Sequence, residues 1–189
     1  VTEVGYHLPE SVTVTMDKTQ SVKFTYNNGV LTIQSPVTGE ITITASAQQN
    51  TYTVTFDANG GTGDIVKKDI AHGSKLSGIA PDEPQRDGYK FVGWNTDRNA
   101  SSALDDYAIT GDVTLYAVWK ANTYTVTFDK NVGDEETTTQ GFTYGVAQNL
   151  NPNAFTRTGY TFAGWARKAG ATEIEFADGA SVINLTATD

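Results

Sequence analysis

Three tryptophans, two histidines and several close pairs of carboxylates are the residues from which this sequence could build chemistry. Trp94, Trp119 and Trp165 could be platforms for sugar rings, because an aromatic face and the apolar face of a pyranose exclude water together. The competing reading makes them core anchors. A small module needs its largest side chains buried, and Trp94 and Trp165 occupy one position of a motif that occurs twice. The core reading is preferred. A glycosidase would need two carboxylates about 5–10 Å apart across a cleft. Asp105-Asp106, Glu173 with Glu175, and Asp134-Glu135-Glu136 are the candidates, and they read as solvated loop charge.

Metal and phosphate chemistry find weaker footholds. Asp57 with Asn59, and Asp129 with Asn131, could face a calcium ion, but the spacing is not the roughly twelve-residue loop with a closing Glu. A turn is the preferred reading. His7 and His72 lie 65 positions apart, too far for a HExxH pair, and neither has a nucleophile and acid beside it in sequence. Gly60-Gly61-Thr62-Gly63 lacks the Gly-Lys-Ser/Thr of a phosphate loop. Lys23, near Asn27 and Asn28, is the one hint of an intramolecular Lys–Asn isopeptide bond. The sequence holds no Cys, which removes disulfides, thiolate zinc sites and cysteine nucleophiles. A net charge of -9 argues against nucleic acid as a partner. No apolar run reaches the ~18 residues of a membrane helix, and Val1-Thr2-Glu3-Val4-Gly5-Tyr6 is not a signal peptide. The sequence reads as part of something longer.

The elements that must hold these residues are strands. The 189 residues include 29 Thr, with abundant Val, Tyr and Phe, the types that fit a pleated, half-buried surface. Thr51-Tyr52-Thr53-Val54-Thr55-Phe56-Asp57 alternates with period two, as a strand does, and Asp57 to Gly61 reads as a turn or bulge. Lys90 to Asn95 and Val113 to Trp119 read as further strands. Strict alternation puts Tyr89, Phe91 and Gly93 on one face and Lys90, Val92 and Trp94 on the other. Pro81 and Pro84 exclude a regular helix over Lys75 to Gly88, while a short helical turn is allowed near Ala100 to Tyr107. Asn28-Gly29 is the preferred pair for a two-residue type I′ hairpin. It pairs Tyr26 with Leu31 and Phe24 with Ile33, and predicts all four on one buried face. Strands are also expected at Val12 to Met16 and at Ile41 to Ala45.

The chain repeats itself. Thr51 to Asp57 recurs unchanged as Thr123 to Asp129, and Gly88-Tyr89-Lys90-Phe91-Val92-Gly93-Trp94 recurs as Gly159-Tyr160-Thr161-Phe162-Ala163-Gly164-Trp165; the offsets are 72 and 71. Copy one closes with Leu115-Tyr116-Ala117-Val118-Trp119, for which copy two has no counterpart, so copy two is expected to lack its last strand. The organisation read from this is a β module at residues 1–49, taken as the C-terminal part of a larger domain, then one repeat at 50–121 and a second at 122–189. The joints at Gln48-Gln49-Asn50 and Lys120-Ala121-Asn122 are short, so the modules should have limited swing.

Each copy resembles the Listeria–Bacteroides repeat, also called the internalin B-repeat. The residues that carry the resemblance are the Tyr-Thr-Val-Thr-Phe-Asp strand, the Gly-Tyr-x-Phe-x-Gly-Trp block and the closing Leu-Tyr-Ala-x-Trp. Copy two departs from it at Lys130-Asn131-Val132-Gly133 and lacks the third block. The resemblance implies tandem β-grasp, ubiquitin-like modules on secreted or wall-attached bacterial proteins, with no catalytic residues to carry over. Residues 1–50 are similar, through Gly5 to Val14 and Val37 to Ala45, to part of another surface module.

The fold class expected is therefore mainly β or α+β: two β-grasp repeats behind an antiparallel β module. The expected function is a non-catalytic spacer or stalk segment of a bacterial cell-surface or cell-wall protein, monomeric within a longer multi-domain chain. The alternative is an adhesin-type binding module for a host protein or glycan, which would show exposed aromatics in a row. No catalytic, cofactor-binding or metal residue is assigned, no membrane insertion is expected, and no ligand-binding residue can be named.

Overall fold

A computed structural model of the chain describes residues 3–63, 65–133 and 135–187. It is almost all β, in several small antiparallel sheets. The first seven strands are β1 (Tyr6–His7), β2 (Thr13–Met16), β3 (Gln20–Ser21), β4 (Phe24–Asn27), β5 (Val30–Ile33), β6 (Ile41–Thr44) and β7 (Gln48–Gln49). β8 (Thr51–Asp57), β9 (Ile65–Ala71), the single turn α1 (Leu76–Ile79), β10 (Tyr89–Asn95) and β11 (Val113–Ala121) follow. The last four are β12 (Thr123–Asp129), β13 (Thr137–Thr143), β14 (Gln148–Asn149) and β15 (Ser181–Val182).

Two compact units result. The first takes Val1–Asp57, Asp64–Asp82 and Leu104–Leu115, the second Ala58–Gly63, Glu83–Ala103 and Tyr116–Asp189. In the first unit, β4 and β5 pair through Phe24↔Ile33, Thr25↔Thr32 and Tyr26↔Leu31. Asn28 and Gly29 both have positive φ, 47° and 79°, as a type I′ turn requires. Phe24, Tyr26, Leu31 and Ile33 share a face, but it is half-buried rather than buried. β2 lies between β3 and β6, and this three-stranded sheet is thin: Val14 is buried, while Ile43 opposite it is 54% exposed.

The same unit holds β8 against β9. The register shifts between Tyr52 and Val54, where β9 carries one extra residue and Asp69 adopts φ 57°. The amide of Thr53 at the shift donates to Asp112 Oδ1 at 2.8 Å. The alternating strand buries Val54 and Phe56 completely. The helical turn stands at Leu76–Ile79, not near Ala100 to Tyr107. Leu76 is its buried anchor, and Pro81 fits its end. The 100–107 stretch is drawn instead into local turns, such as the Ala100 N–H to Asp97 carbonyl bond of 3.2 Å.

In the second unit β10 runs antiparallel to β11 with Phe91↔Trp119, Gly93↔Val118 and Trp94↔Ala117. One residue, Val92, is bulged out of this ladder. The bulge corrects the strict alternation expected for this strand. It turns Trp94 onto the face of Phe91, and their ring centroids are 5.3 Å apart.

Also in the second unit, β12 pairs β13 without a register shift, from Thr123↔Thr143 to Asp129↔Thr137. Tyr124, Phe128, Phe142, Leu150 and Val182 make its core, with Val126, Phe155, Trp165 and Phe176 packed around them. Tyr124 and Phe142 stack at 5.6 Å. Beyond β15 no further strand occurs among the described residues. The 160–164 stretch, matching β10, forms no ladder either, and Trp165 makes only an isolated bridge to Phe176. A β10-like strand needs a β11-like partner to satisfy its backbone. At the end of β13, side-chain amides tie the chain locally: Gln140 binds the backbone of Asn149 and Asn151, and Gln148 binds that of Thr143.

Candidate functional site

The tryptophans take three different places. Trp94 is 5% exposed and has no free face for a sugar ring. Trp119 is half-buried, lies 5.6 Å from the Phe91 ring, and donates its Nε1–H to the Ala58 carbonyl at 3.0 Å. Trp165 is half-buried among Phe128, Phe155 and Phe162, with centroids 4.8, 6.1 and 4.8 Å away. Its buried Nε1 finds no hydrogen-bond acceptor.

The carboxylates are spent separately. Asp106 Oδ1 accepts from the amide and hydroxyl of Ser77, at 3.3 and 2.9 Å, at the first turn of α1. Glu175 pairs with Arg167 at 3.3 Å and accepts from its amide at 2.9 Å, while Glu173 is exposed. Glu136 pairs with Lys130 at 2.5 Å, Glu135 is exposed, and Asp134 lies outside the described residues. Among the described residues no three His, Asp or Glu side chains gather as a metal site, and no helix is long and apolar enough to cross a membrane.

The Asp-x-Asn sequences are turns. Asn59 sits at φ 49° and donates its Nδ2 to the carbonyls of Arg98 and Ala117, at 2.9 and 3.0 Å. Asn131 sits at φ 58° and donates its amide to Asp129 Oδ1 at 2.6 Å, an Asx turn. In the glycine run, the Gly61 and Thr62 amides donate to the carbonyls of Ala58 and Gln85, both at 2.9 Å, so neither is left for a phosphate. Lys23, Asn27 and Asn28 are all exposed.

The two histidines meet at one place, where β7 passes into β8 through the single residue Asn50. There the Asn50 amide donates to the Gly5 carbonyl at 2.8 Å, and the His72 amide donates to the Asn50 carbonyl at 2.8 Å. Gly5 has φ 83°, and a Cβ on it would overlap the His72 ring. The ring lies 5.9 Å from that of Tyr52, and His7 Nδ1 is 2.9 Å from Asn50 Oδ1.

β11 passes into β12 through Asn122 in the same way. The Asn122 amide donates to the Gly88 carbonyl at 2.9 Å, and the Tyr144 amide to the Asn122 carbonyl at 2.9 Å. Gly88 has φ 75°, and a Cβ on it would overlap the Tyr144 ring. Tyr144 also meets Tyr89 edge-on, with centroids 5.6 Å apart at 80°. Gly145 is tight as well, since a Cβ there would come within 2.7 Å of the Tyr89 hydroxyl. Both joints thus follow one plan. A Gly-Tyr turn exposes bare backbone, an Asn passes the chain across, and the aromatic ring of a following aromatic-Gly pair lies on the glycine.

The sequence carried a signal for this plan. His72-Gly73 and Tyr144-Gly145 are 72 apart, the offset of the first repeated block, and Gly5-Tyr6 carries the same dipeptide as Gly88-Tyr89. Reading each histidine against its neighbours in sequence missed it, because the partner of each ring lies more than fifty residues away.

Comparison with known proteins fits the repetition. The family model of the Listeria-Bacteroides repeat domain matches residues 52–118 and 124–188. Over 165 residues the chain is 34% identical to internalin H of Listeria monocytogenes, an overlap covering 84% of this chain and 28% of that protein. It is 32% identical over 131 residues to a protein of Evansella cellulosilytica named as a membrane protein, covering 68% of this chain and 19% of the relative. A second protein of that organism, named as a Gly-rich membrane protein, is 31% identical over 72% of this chain and 16% of its own length. The chain therefore spans less than a third of each of these relatives. No solved structure matches it.

Proposed function

The chain belongs to the Listeria-Bacteroides repeat family, and from that premise we propose that it is a non-catalytic spacer segment of a bacterial cell-surface or secreted protein. The observation that carries this reading is the pair of matching joints. Each crosses a single Asn and sets an aromatic ring on a bare glycine, with backbone hydrogen bonds on both sides. A module joined this way has little freedom to swing, which suits a segment that holds something else at a distance. The names of the relatives, an internalin and membrane proteins, favour the cell envelope as the location. Antiparallel pairs β8 with β9 and β10 with β11, with one helical turn between β9 and β10, favour a β-grasp reading of the first repeat.

The binding-module reading asks for exposed aromatics in a row. Tyr160 and Phe162, 66% and 38% exposed, are the nearest approach to one. They lie on the stretch that corresponds to the laddered β10, so the missing ladder accounts for their exposure. The test is titration of the chain against a glycan array and extracellular-matrix proteins, with antibody labelling of intact cells. Labelled cells and no saturable binding support the spacer. Saturable binding lost in Tyr160→Ala would replace it with the binding module, and unlabelled intact cells with labelled lysates would overturn the surface location.

A further inference from the structure

We propose that Gly159-Tyr160, with Arg157 over the tyrosine ring, is an open socket for the aromatic-glycine corner of another module of this kind. The inference does not depend on whether the segment is a spacer or a binder. It rests on three copies of one turn. The Tyr6, Tyr89 and Tyr160 amides each donate back three residues, to the carbonyls of Glu3, Arg86 and Arg157, all at 3.1 Å. The glycine before each tyrosine has φ 83°, 75° and 80°. That is the positive φ a type II turn needs at its third residue.

The second and third copies agree in a further detail. The Arg86 guanidinium lies 4.0 Å from the Tyr89 ring centroid, and that of Arg157 lies 3.8 Å from the Tyr160 centroid. Such a contact holds a tyrosine ring in place before anything docks.

The copies differ in occupancy. Gly5 and Gly88 are buried under His72 and Tyr144, whereas Gly159 is exposed and a Cβ on it would meet nothing within 4 Å. Tyr160 is 66% exposed, while Tyr89 is half-buried against Tyr144. The bare patch therefore has the backbone turn, the aromatic ring and the cation of a filled joint, without the ring that fills it.

The occupant is set by the filled joints: a histidine or tyrosine followed by glycine, at the end of the second strand of a repeat. A second copy of this chain does not offer one, because its two such rings are already seated. The fitting partner is a further repeat whose aromatic-glycine corner is free, brought in by a closing strand like β11.

The test extends the full chain with a second copy of residues 115–189, which supplies that strand and a module. Ring-proton NOEs are then read by NMR, with the Tyr89–Tyr144 pair as internal standard. The expected result is a new NOE between Tyr160 and the appended counterpart of Tyr144. Gly159→Asn is the control. Asn tolerates positive φ, so the 189-residue chain should keep its melting temperature, but the added side chain should abolish the new NOE. An extended chain without the NOE overturns the proposal, whether the appended part tumbles independently or fails to pair. So does an NOE that survives Gly159→Asn.

Discussion

The indole N–H of Trp119 donates to the carbonyl of Ala58, 3.0 Å away, and so ties the closing strand of the first repeat to the turn after β8. Ala58 is buried, and its carbonyl also accepts from the Gly61 amide at 2.9 Å. Gly61 in turn lies where a Cβ would come within 2.6 Å of the Trp119 ring. Trp119→Phe keeps most of the ring and leaves the carbonyl its bond from the Gly61 amide, so it should cost about 1 kcal/mol. Urea denaturation measures it. A cost near zero would mean the bond only replaces one to water.

Asn59 makes the same tie from the other side, through its bonds to Arg98 and Ala117. Asn59→Gly keeps the positive φ and removes both bonds, so it should destabilise by about 1–3 kcal/mol. Asn131→Gly should be close to neutral. Asn131 is exposed, and the bond it makes comes from its backbone amide, which glycine retains. Equal losses at the two positions would show that the asparagines matter for their turns and not for their side chains.

What could be read in advance followed from turn chemistry and local pattern. Asn28-Gly29 fixed a register because turn type and alternation agreed, so Phe24 meets Ile33 as expected. Its apolar face stayed half-buried because burial depends on a partner layer, which no local pattern encodes. Trp94 was misplaced by strict alternation, since a one-residue bulge at Val92 reverses every side chain after it. The ring of His72 over Gly5 was illegible for another reason. Its meaning lies in contact between residues far apart in the chain, and only superposition of His72 on Tyr144 by the repeat offset hints at it.

Trp94 and Trp165 hold one motif position in unequal surroundings. Trp94 is 5% exposed, so Trp94→Ala should cost about 3–5 kcal/mol, enough to leave so small a module marginal. Trp165 is half-buried and keeps an unpartnered Nε1–H inside. Removing an unsatisfied buried donor recovers about 1–3 kcal/mol of desolvation, which offsets the area lost in Trp165→Phe. That variant should be within about 1 kcal/mol of the parent chain in thermal melts. A large loss would mean that the indole N–H has an acceptor after all, in an ordered water.

Gly88 and Gly159 allow the joint contact to be measured apart from the backbone that carries it. They share a turn and differ little in φ, 75° against 80°. Alanine at either position meets about 1–2 kcal/mol of strain from its Cβ in the left-handed region. Only at Gly88 must it also displace the Tyr144 ring. Gly88→Ala should therefore be the more destabilising by about 1–3 kcal/mol, the range for an overpacked contact. It should also abolish the edge-on contact between Tyr89 and Tyr144, seen as loss of their ring NOE. In the first joint His72→Tyr should be tolerated, since a tyrosine already fills the equivalent place. If Gly88→Ala and Gly159→Ala cost the same, the ring lies on the glycine without stabilising the joint. The backbone bonds through Asn122 would then hold the two repeats together alone.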